Sequence, residues 1–413
     1  MNPSEISRQI DRGAIQVIRT LKEAGFETYL VGGAVRDVLV GVKPKDFDIS
    51  TSATPEQVRD IFGRRKARII GKRFKIVHVY EYGVMFEVST FRRTPSDKER
   101  CARPSDDGSI VWRDNVWGTP EEDANRRDFT ANALYMDTAD DFKIIDFCGG
   151  IEDIKNKVVR SLGDPRVRFT EDPVRMLRAA KLKAQYGFEF EDNVGSAIKE
   201  LAEKITLVSQ RRLYEEILKI TYKPYLAETL RVCYEYGLLR YIIPSIHEIL
   251  DSEDAAMYLS VLAARDAFVA RGGTVSRAFS LSLMAYRHVE KIMDSKSKFG
   301  DYWEYYEGME RDVRRAVDSF MRPHNMTRII SSRVRDVIMM QGRILSGKSL
   351  NKIKRHPEFF YASIVYKMQA PLLGWDEVPE LPEPRTRRPE SRPRSEGRPR
   401  KSRRPRRKPR QDT

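Results

Sequence analysis

LVGGAVRD (residues 30–37), followed by DFD (46–48), is the stretch that sets the fold class. ETYLVG (27–32) reads as a strand, residues 34–40 as a short helix, and PKDFDIS (44–50) as a second strand. Paired glycines at a strand-to-helix turn let the backbone approach a phosphate, and the helix start offers unpaired N–H groups. Arg36 adds a charged fork one turn further on. Gly32, Gly33 and Arg36 are therefore candidate phosphate ligands, although a glycine turn also serves as a plain connection. Asp46 and Asp48 lie two residues apart, and on a strand such residues share a face. Carboxylates held about 6–7 Å apart repel unless a cation lies between them. Magnesium takes oxygen ligands of this kind and completes its shell with water and phosphate. Asp46 and Asp48 are accordingly candidate metal ligands; the alternative is a solvated edge-strand pair, and the neighbouring glycine turn weighs against it.

Outward from that stretch, a helix is expected at 55–63, opened by Ser52/Thr54 and Pro55, with strands at 67–71, 75–81 and 84–91. Glu81-Tyr82-Gly83 reads as a hairpin turn, and the polar stretch 93–117 as a loop. Glu87, in VMFEVSTF (84–91), is a third candidate acid; alternation leaves open whether it faces a site or solvent. The N-terminal 26 residues read as one amphipathic helix without the apolar core of a signal peptide. From Glu171 to about Met368 the apolar spacing is helical. The expected organisation is an α/β head with a mixed sheet (1–160), an all-α neck (161–225) and body (226–375), and a disordered basic tail (376–413).

Composition narrows the function classes. The 413-residue chain carries a formal net charge of +15, and residues 385–413 hold fourteen Lys and Arg against three acids. That tail attracts a polyanion. No stretch approaches the roughly 20 apolar residues of a membrane span, so no membrane insertion is expected. Cys101, Cys148 and Cys233 form no metal-ligand spacing, which fits a reducing cytoplasm. The five histidines are scattered, and no Ser-His-Asp set is apparent. Two aspartates and a third acid suit two-metal phosphoryl transfer without a protein nucleophile.

EDPVRMLRA (171–179) carries a second kind of chemistry. Pro173 is tolerated in a first turn, so Glu171-Asp172 is expected to begin a helix, with Asp172 and Arg175 one turn apart on one face. A carboxylate accepts from an exocyclic amine and a guanidinium donates to a ring nitrogen. Adenine and cytosine present that pair; guanine and uracil present the reverse. The plain alternative is a surface ion pair.

LVGGAVRD with DFD, RRDFTANAL (126–134) and EDPVRMLRA occur in the order of, and together resemble, the motifs of the class II tRNA nucleotidyltransferase and poly(A) polymerase superfamily. The resemblance implies a nucleotidyltransferase head, with Gly33 and Arg36 on the triphosphate and Asp46, Asp48 and Glu87 at a site for Mg2+, two ions in all. It implies that Arg127 and Asp128 line the nucleotide site, with Asp128 near the ribose and counted among the catalytic residues, and that Asp172, Arg175 and Arg178 contact the incoming nucleotide. Lys181 stands where many relatives carry arginine. IIGKRFKIVHV (69–79) is similar to the segment that marks bacterial poly(A) polymerases, with Phe74 filling space that CCA-adding relatives leave to small residues. The loop at 92–120 and the basic tail point the same way. The implied activity is template-independent addition of AMP from ATP to RNA 3′ ends. Arg385, Arg387, Arg388, Arg403, Arg404, Arg406 and Arg407 in the tail are candidate RNA contacts. A CCA-adding enzyme and a non-catalytic RNA-binding protein are the alternatives.

Overall fold

The computed structural model describes residues 3–71, 75–95, 103–104, 110–111, 116–294, 306–345 and 350–371. The N-terminal segment forms two helices, α1 (Pro3–Gln9) and α2 (Arg12–Glu23), where one was expected. Asp11 separates them: its side chain accepts from Gly13 N at 2.7 Å and so starts a new helix. A Cβ on Gly13 would come within 2.7 Å of the Phe86 ring, so α2 reaches its packing distance because that residue has no side chain.

The head continues as β1 (Thr28–Val31), α3 (Gly33–Val40), β2 (Asp48–Thr51), α4 (Pro55–Lys66), β3 (Ala67–Ile70), β4 (Ile76–Glu81) and β5 (Val84–Thr90). Thr54 and Gln57 form a reciprocal cap on α4, with Pro55 at its start. Tyr82 and Gly83, both at positive φ (47° and 77°), make the two-residue hairpin turn. Within the stretch expected as a loop, two short ladders form: β6 (Arg92–Arg93) and β7 (Arg103–Pro104) pair with β9 (Val116–Trp117) and β8 (Ile110–Val111) respectively. Then come α5 (Pro120–Asn125), a 3-10 turn (Thr130–Asn132), β10 (Leu134–Asp137) and β11 (Lys143–Asp146). The seven-stranded sheet runs β11-β10-β1-β2-β5-β4-β3. It is mixed: β2 and β5 pair in parallel and the other neighbours antiparallel.

The expected strand at 44–50 starts four residues late. Val31, the last residue of β1, pairs with Asp48, the ladder with β5 also begins at Asp48, opposite Glu87, and β1 turns away at Gly32. Asp46 therefore sits in the exposed approach to β2 and not on the strand beside Asp48.

The two sheet faces differ. Leu30, Ile49, Val88 and Met136 point into the main core with Val17, Ile18 and Leu21 of α2. The other face holds a small cluster, including Val31, Phe91, Ala133 and Tyr135. Asp48 is in register with Val31 and Glu87, so both acids belong to this second face.

After α6 (Gly150–Lys155) and β12 (Val158–Val159), the chain is helical: α7 (Pro165–Glu171), α8 (Val174–Tyr186), then β13 (Glu189–Phe190) paired to β12, α9 (Asp192–Leu201), α10 (Gln210–Ile220), and further helices from Leu226–Glu235 to Phe359–Gln369. The helix expected to begin at Glu171-Asp172 is instead a junction. Pro173 cannot continue α7, so Asp172 adopts an extended backbone (φ −145°, ψ 91°) and α8 starts behind the proline. Among the described residues, no helix is long and apolar enough to cross a membrane.

Candidate active site

A cleft of about 590 Å³ lies between the second face of the sheet and helices α8 and α10. Gly32, Gly33, Arg36, Asp48, Glu87, Arg127, Asp128, Asp172, Arg175 and Arg178 all line it. Residues from four separate sequence stretches thus meet at one place. Asp46 does not line the cleft, although its charge still acts on Asp48. Lys72, Arg73 and Phe74, and the tail residues Arg385, Arg387, Arg388, Arg403, Arg404, Arg406 and Arg407, lie outside the described residues.

One end of the cleft, the one expected to take phosphate, is built by the β1–α3 turn. Gly32 holds φ 71°, and a Cβ there would come within 3.0 Å of Arg127 Nη1. No side chain caps α3, and Gly32 and Gly33 at its start line the cleft. Arg36 donates to Asp37 Oδ1, to Tyr186 Oη and to Asn132 Oδ1.

Asp48 and Glu87 occupy directly opposed positions on β2 and β5. Burial in the cleft and the charge of Glu87 push the Asp48 carboxyl up to about 6; Arg127 opposes the shift and Asp46 adds to it. The structure therefore resolves the face of Glu87: it is turned to the cleft, half exposed, with His78 Nε2 at 3.7 Å. Among the described residues no three acid, His or Cys side chains close on one point. The donor set still fits magnesium. Two opposed carboxylates that repel each other are oxygen donors of the kind such an ion takes, with room in the cleft for water and phosphate to complete a shell.

Arg127 lines the cleft with its side chain only 20% exposed, and its charge is already engaged. Its Nη2 lies 3.1 Å from Asp123 Oδ2, and its Cζ 5.3 Å from the Tyr135 ring centroid. Burial works against its charge, but Tyr135 and Asp123 hold its pKa above the usual arginine range. Asp123 is the hub that the sequence reading missed. It accepts from Arg126, Arg127, Tyr135 and the Arg92 N–H, and the arginines hold it ionised despite burial. Its signal was its place three and four residues before Arg126 and Arg127. Asp128 accepts from Asn132 Nδ2 at 3.0 Å and lies 3.6 Å from Arg178 Nη1.

The other end of the cleft, expected to read the base, differs from the expected pair. Asp172 Oδ2 accepts from Arg212 Nη2 of α10 at 2.8 Å, while Oδ1 is buried with no hydrogen-bond partner. Arg175 lies against the Arg168 carbonyl and Glu171, at 3.2 and 3.5 Å. Burial and the like charge of Arg168 draw its pKa below the usual arginine range. Asp172 and Arg175 line one cleft without being each other's ion-pair partner. Lys181 bonds Glu216 of α10 at 2.8 Å. Burial disfavours the Glu216 charge, but Lys181 and Lys219 bring its pKa down to about 2. Asn132, Ser89, Glu216 and Lys219 also line the cleft and were not singled out in the sequence.

Comparison with known proteins agrees with this geometry. Residues 28–160 match the poly A polymerase head domain, and residues 187–250 match the probable RNA and SrmB-binding site of polymerase A. Poly(A) polymerase I of Escherichia coli O6:H1 is 34% identical over 94% of this chain and 90% of its own length. A CCA-adding enzyme of Geobacillus sp. is 38% identical, but over 55% of this chain and 54% of its own. The solved structure of the Bacillus stearothermophilus CCA-adding enzyme in complex with CTP superposes with a TM-score of 0.64 at 26% identity, covering 88% of this chain and 80% of that one. The similarity to poly(A) polymerase I, at 34% identity over nearly the whole of both chains, shows that this chain belongs to the bacterial poly(A) polymerase I family.

Proposed function

We propose that this chain adds AMP from ATP to RNA 3′ ends without a template, by Mg2+-dependent phosphoryl transfer, in the cytoplasm. The observation that carries the reading is the opposition of Asp48 and Glu87 in the same cleft as Asp172 and Arg175: acids for metal at one end, a base-reading set at the other. The Gly32–Gly33 turn and Arg36 receive the triphosphate. Asp48 and Glu87 hold the metal, with Asp46 adding negative charge from the approach to β2; Asp128 lies beside the ribose. Bound there, divalent ions supply Lewis-acid stabilisation of the attacking hydroxyl and of the leaving pyrophosphate. The unpartnered Oδ1 of Asp172 accepts from the exocyclic amine of the base, and Arg175 donates to its ring nitrogen. Guanine and uracil would set a donor against Arg175 and an acceptor against Asp172. The basic tail at 385–413 supplies phosphate contacts that do not depend on RNA sequence.

CCA addition is the second reading, favoured by the likeness to CCA-adding enzymes in sequence over 55% of the chain and in fold over 88% of it. The similarity to poly(A) polymerase I, which runs on through the helical part, weighs against it. Replacing Asp48 with Ala should abolish nucleotide incorporation while the protein stays folded. Full activity in a folded Asp48→Ala protein would overturn the assignment.

A further inference from the structure

Tyr186, the last residue of α8, joins the helix that carries Arg175 and Arg178 to the phosphate end of the cleft. Its hydroxyl accepts from Arg36 Nη2 at 2.7 Å and from Gln185 Nε2 at 2.5 Å, and donates to Asp37 Oδ1 at 2.5 Å. Its ring faces the same guanidinium, with Arg36 Cζ 4.6 Å from the centroid, and is backed by Phe188 at 5.5 Å. Burial pushes the phenol well above its ordinary pKa, so it stays neutral and both donates and accepts.

Arg36 has five N–H donors. Two bond Asp37, one Tyr186 and one Asn132, which leaves one Nη1 hydrogen. The guanidinium lies against the glycine turn, where a Cβ on Gly33 would come within 3.3 Å of Nη2. Asp37 and Asn132 belong to the head; Tyr186 is the contact from α8. A phenylalanine would fill the same space, yet remove one of the acceptors that hold Arg36 and one of the donors to Asp37, leaving the guanidinium tied to the head alone.

We infer that Tyr186 is a positioning residue for the incoming nucleotide: from the helix that reads the base, it fixes the Arg36 guanidinium where the triphosphate binds. The inference rests on the proposed reading of the cleft as an ATP site. It assigns one helix the placing of both ends of the nucleotide, so that base recognition and triphosphate binding share a single rigid element.

The test compares full-length wild type with Tyr186→Phe, checked for an unchanged melting temperature, and with Tyr186→Leu, which also removes the ring. In RNA extension at varied ATP, Tyr186→Phe should raise KM about tenfold with kcat changed less than about twofold. Tripolyphosphate, a probe of the phosphate end alone, should weaken as a competitor by a similar factor, while AMP competes as before. Tyr186→Leu should show the same pattern, enlarged. Unchanged KM and tripolyphosphate inhibition in Tyr186→Phe would overturn the inference. So would equal weakening of AMP and tripolyphosphate, since that reports a loosened site. Calorimetric binding of tripolyphosphate to both proteins reads the Tyr186 contact without assuming ATP as substrate. Failure of the wild type to incorporate AMP would therefore reject the functional reading, and a tripolyphosphate affinity unchanged by Tyr186→Phe would reject this inference separately.

Discussion

Asp48 and Glu87 stand directly opposite each other on the parallel pair of strands at the centre of the sheet, and desolvation in the cleft, reinforced by the charge of Glu87, pushes the Asp48 carboxyl up to about 6. That arrangement disfavours the metal-free protein and favours the metal-bound one. Asp48 ordinarily titrates at 3.8. With its folded pKa raised, its contribution to stability is fully present below about 4 and lost as pH rises through about 6. In EDTA, the melting temperature of the wild type should therefore fall relative to Asp48→Asn between pH 4 and 7. Solvent reaches this carboxylate, so screening holds the effect near 1 kcal/mol, or about 2–4 °C for a head of this size. Magnesium at pH 7 should restore the wild type and leave Asp48→Asn unmoved; thermal melts at matched ionic strength check both.

Asp172 should set nucleotide choice. Its Oδ1 has no hydrogen-bond partner within the protein, while Oδ2 accepts from Arg212. An amide in its place presents both donor and acceptor. Asp172→Asn should reduce the preference for ATP over GTP roughly 10- to 100-fold, read as the ratio of kcat/KM values. An unchanged ratio would show that the base is read elsewhere.

Asp123 should matter to stability before it matters to chemistry. It is 1% exposed and engages two arginines, a tyrosine and a backbone N–H. Asp123→Ala leaves Arg126 and Arg127, both partly exposed, without their shared carboxylate, a loss of about 2–4 kcal/mol. Urea unfolding followed by circular dichroism measures it, and a loss below about 1 kcal/mol would contradict the hub role.

The Arg-rich tail should add RNA affinity that salt removes. Deleting residues 385–413, which hold fourteen Lys and Arg, should weaken binding of single-stranded RNA and flatten the fall of affinity with salt. Filter binding at several salt concentrations reads the slope, and an unchanged slope would contradict the role.

The sequence made the composition of the cleft legible because its parts are local motifs. A glycine turn, an acid at the start of a strand and an acid–arginine set at a proline each carry their chemistry within a few residues. What it concealed depends on partners distant in the chain. Asp46 was placed on a strand by alternation, but the strand begins only where Val31 is available to pair, at Asp48. Asp172 and Arg175 looked like a helical pair by spacing, yet Pro173 breaks the helix between them and Arg212, 40 residues on, takes the carboxylate. The face of Glu87 was undecidable from VMFEVSTF, since either parity fits; the register with Asp48 decides it. Tyr186 gave no signal, because its partners are about 150 residues upstream.

The most direct measurement is extension of a generic single-stranded RNA by the purified protein with magnesium and each nucleoside triphosphate supplied alone. A long ladder with ATP, and little or none with CTP, GTP or UTP, is the expected result. Extension that needs CTP followed by ATP and stops after a fixed number of additions on tRNA would contradict polyadenylation, and RNA binding with no incorporation would contradict catalysis altogether.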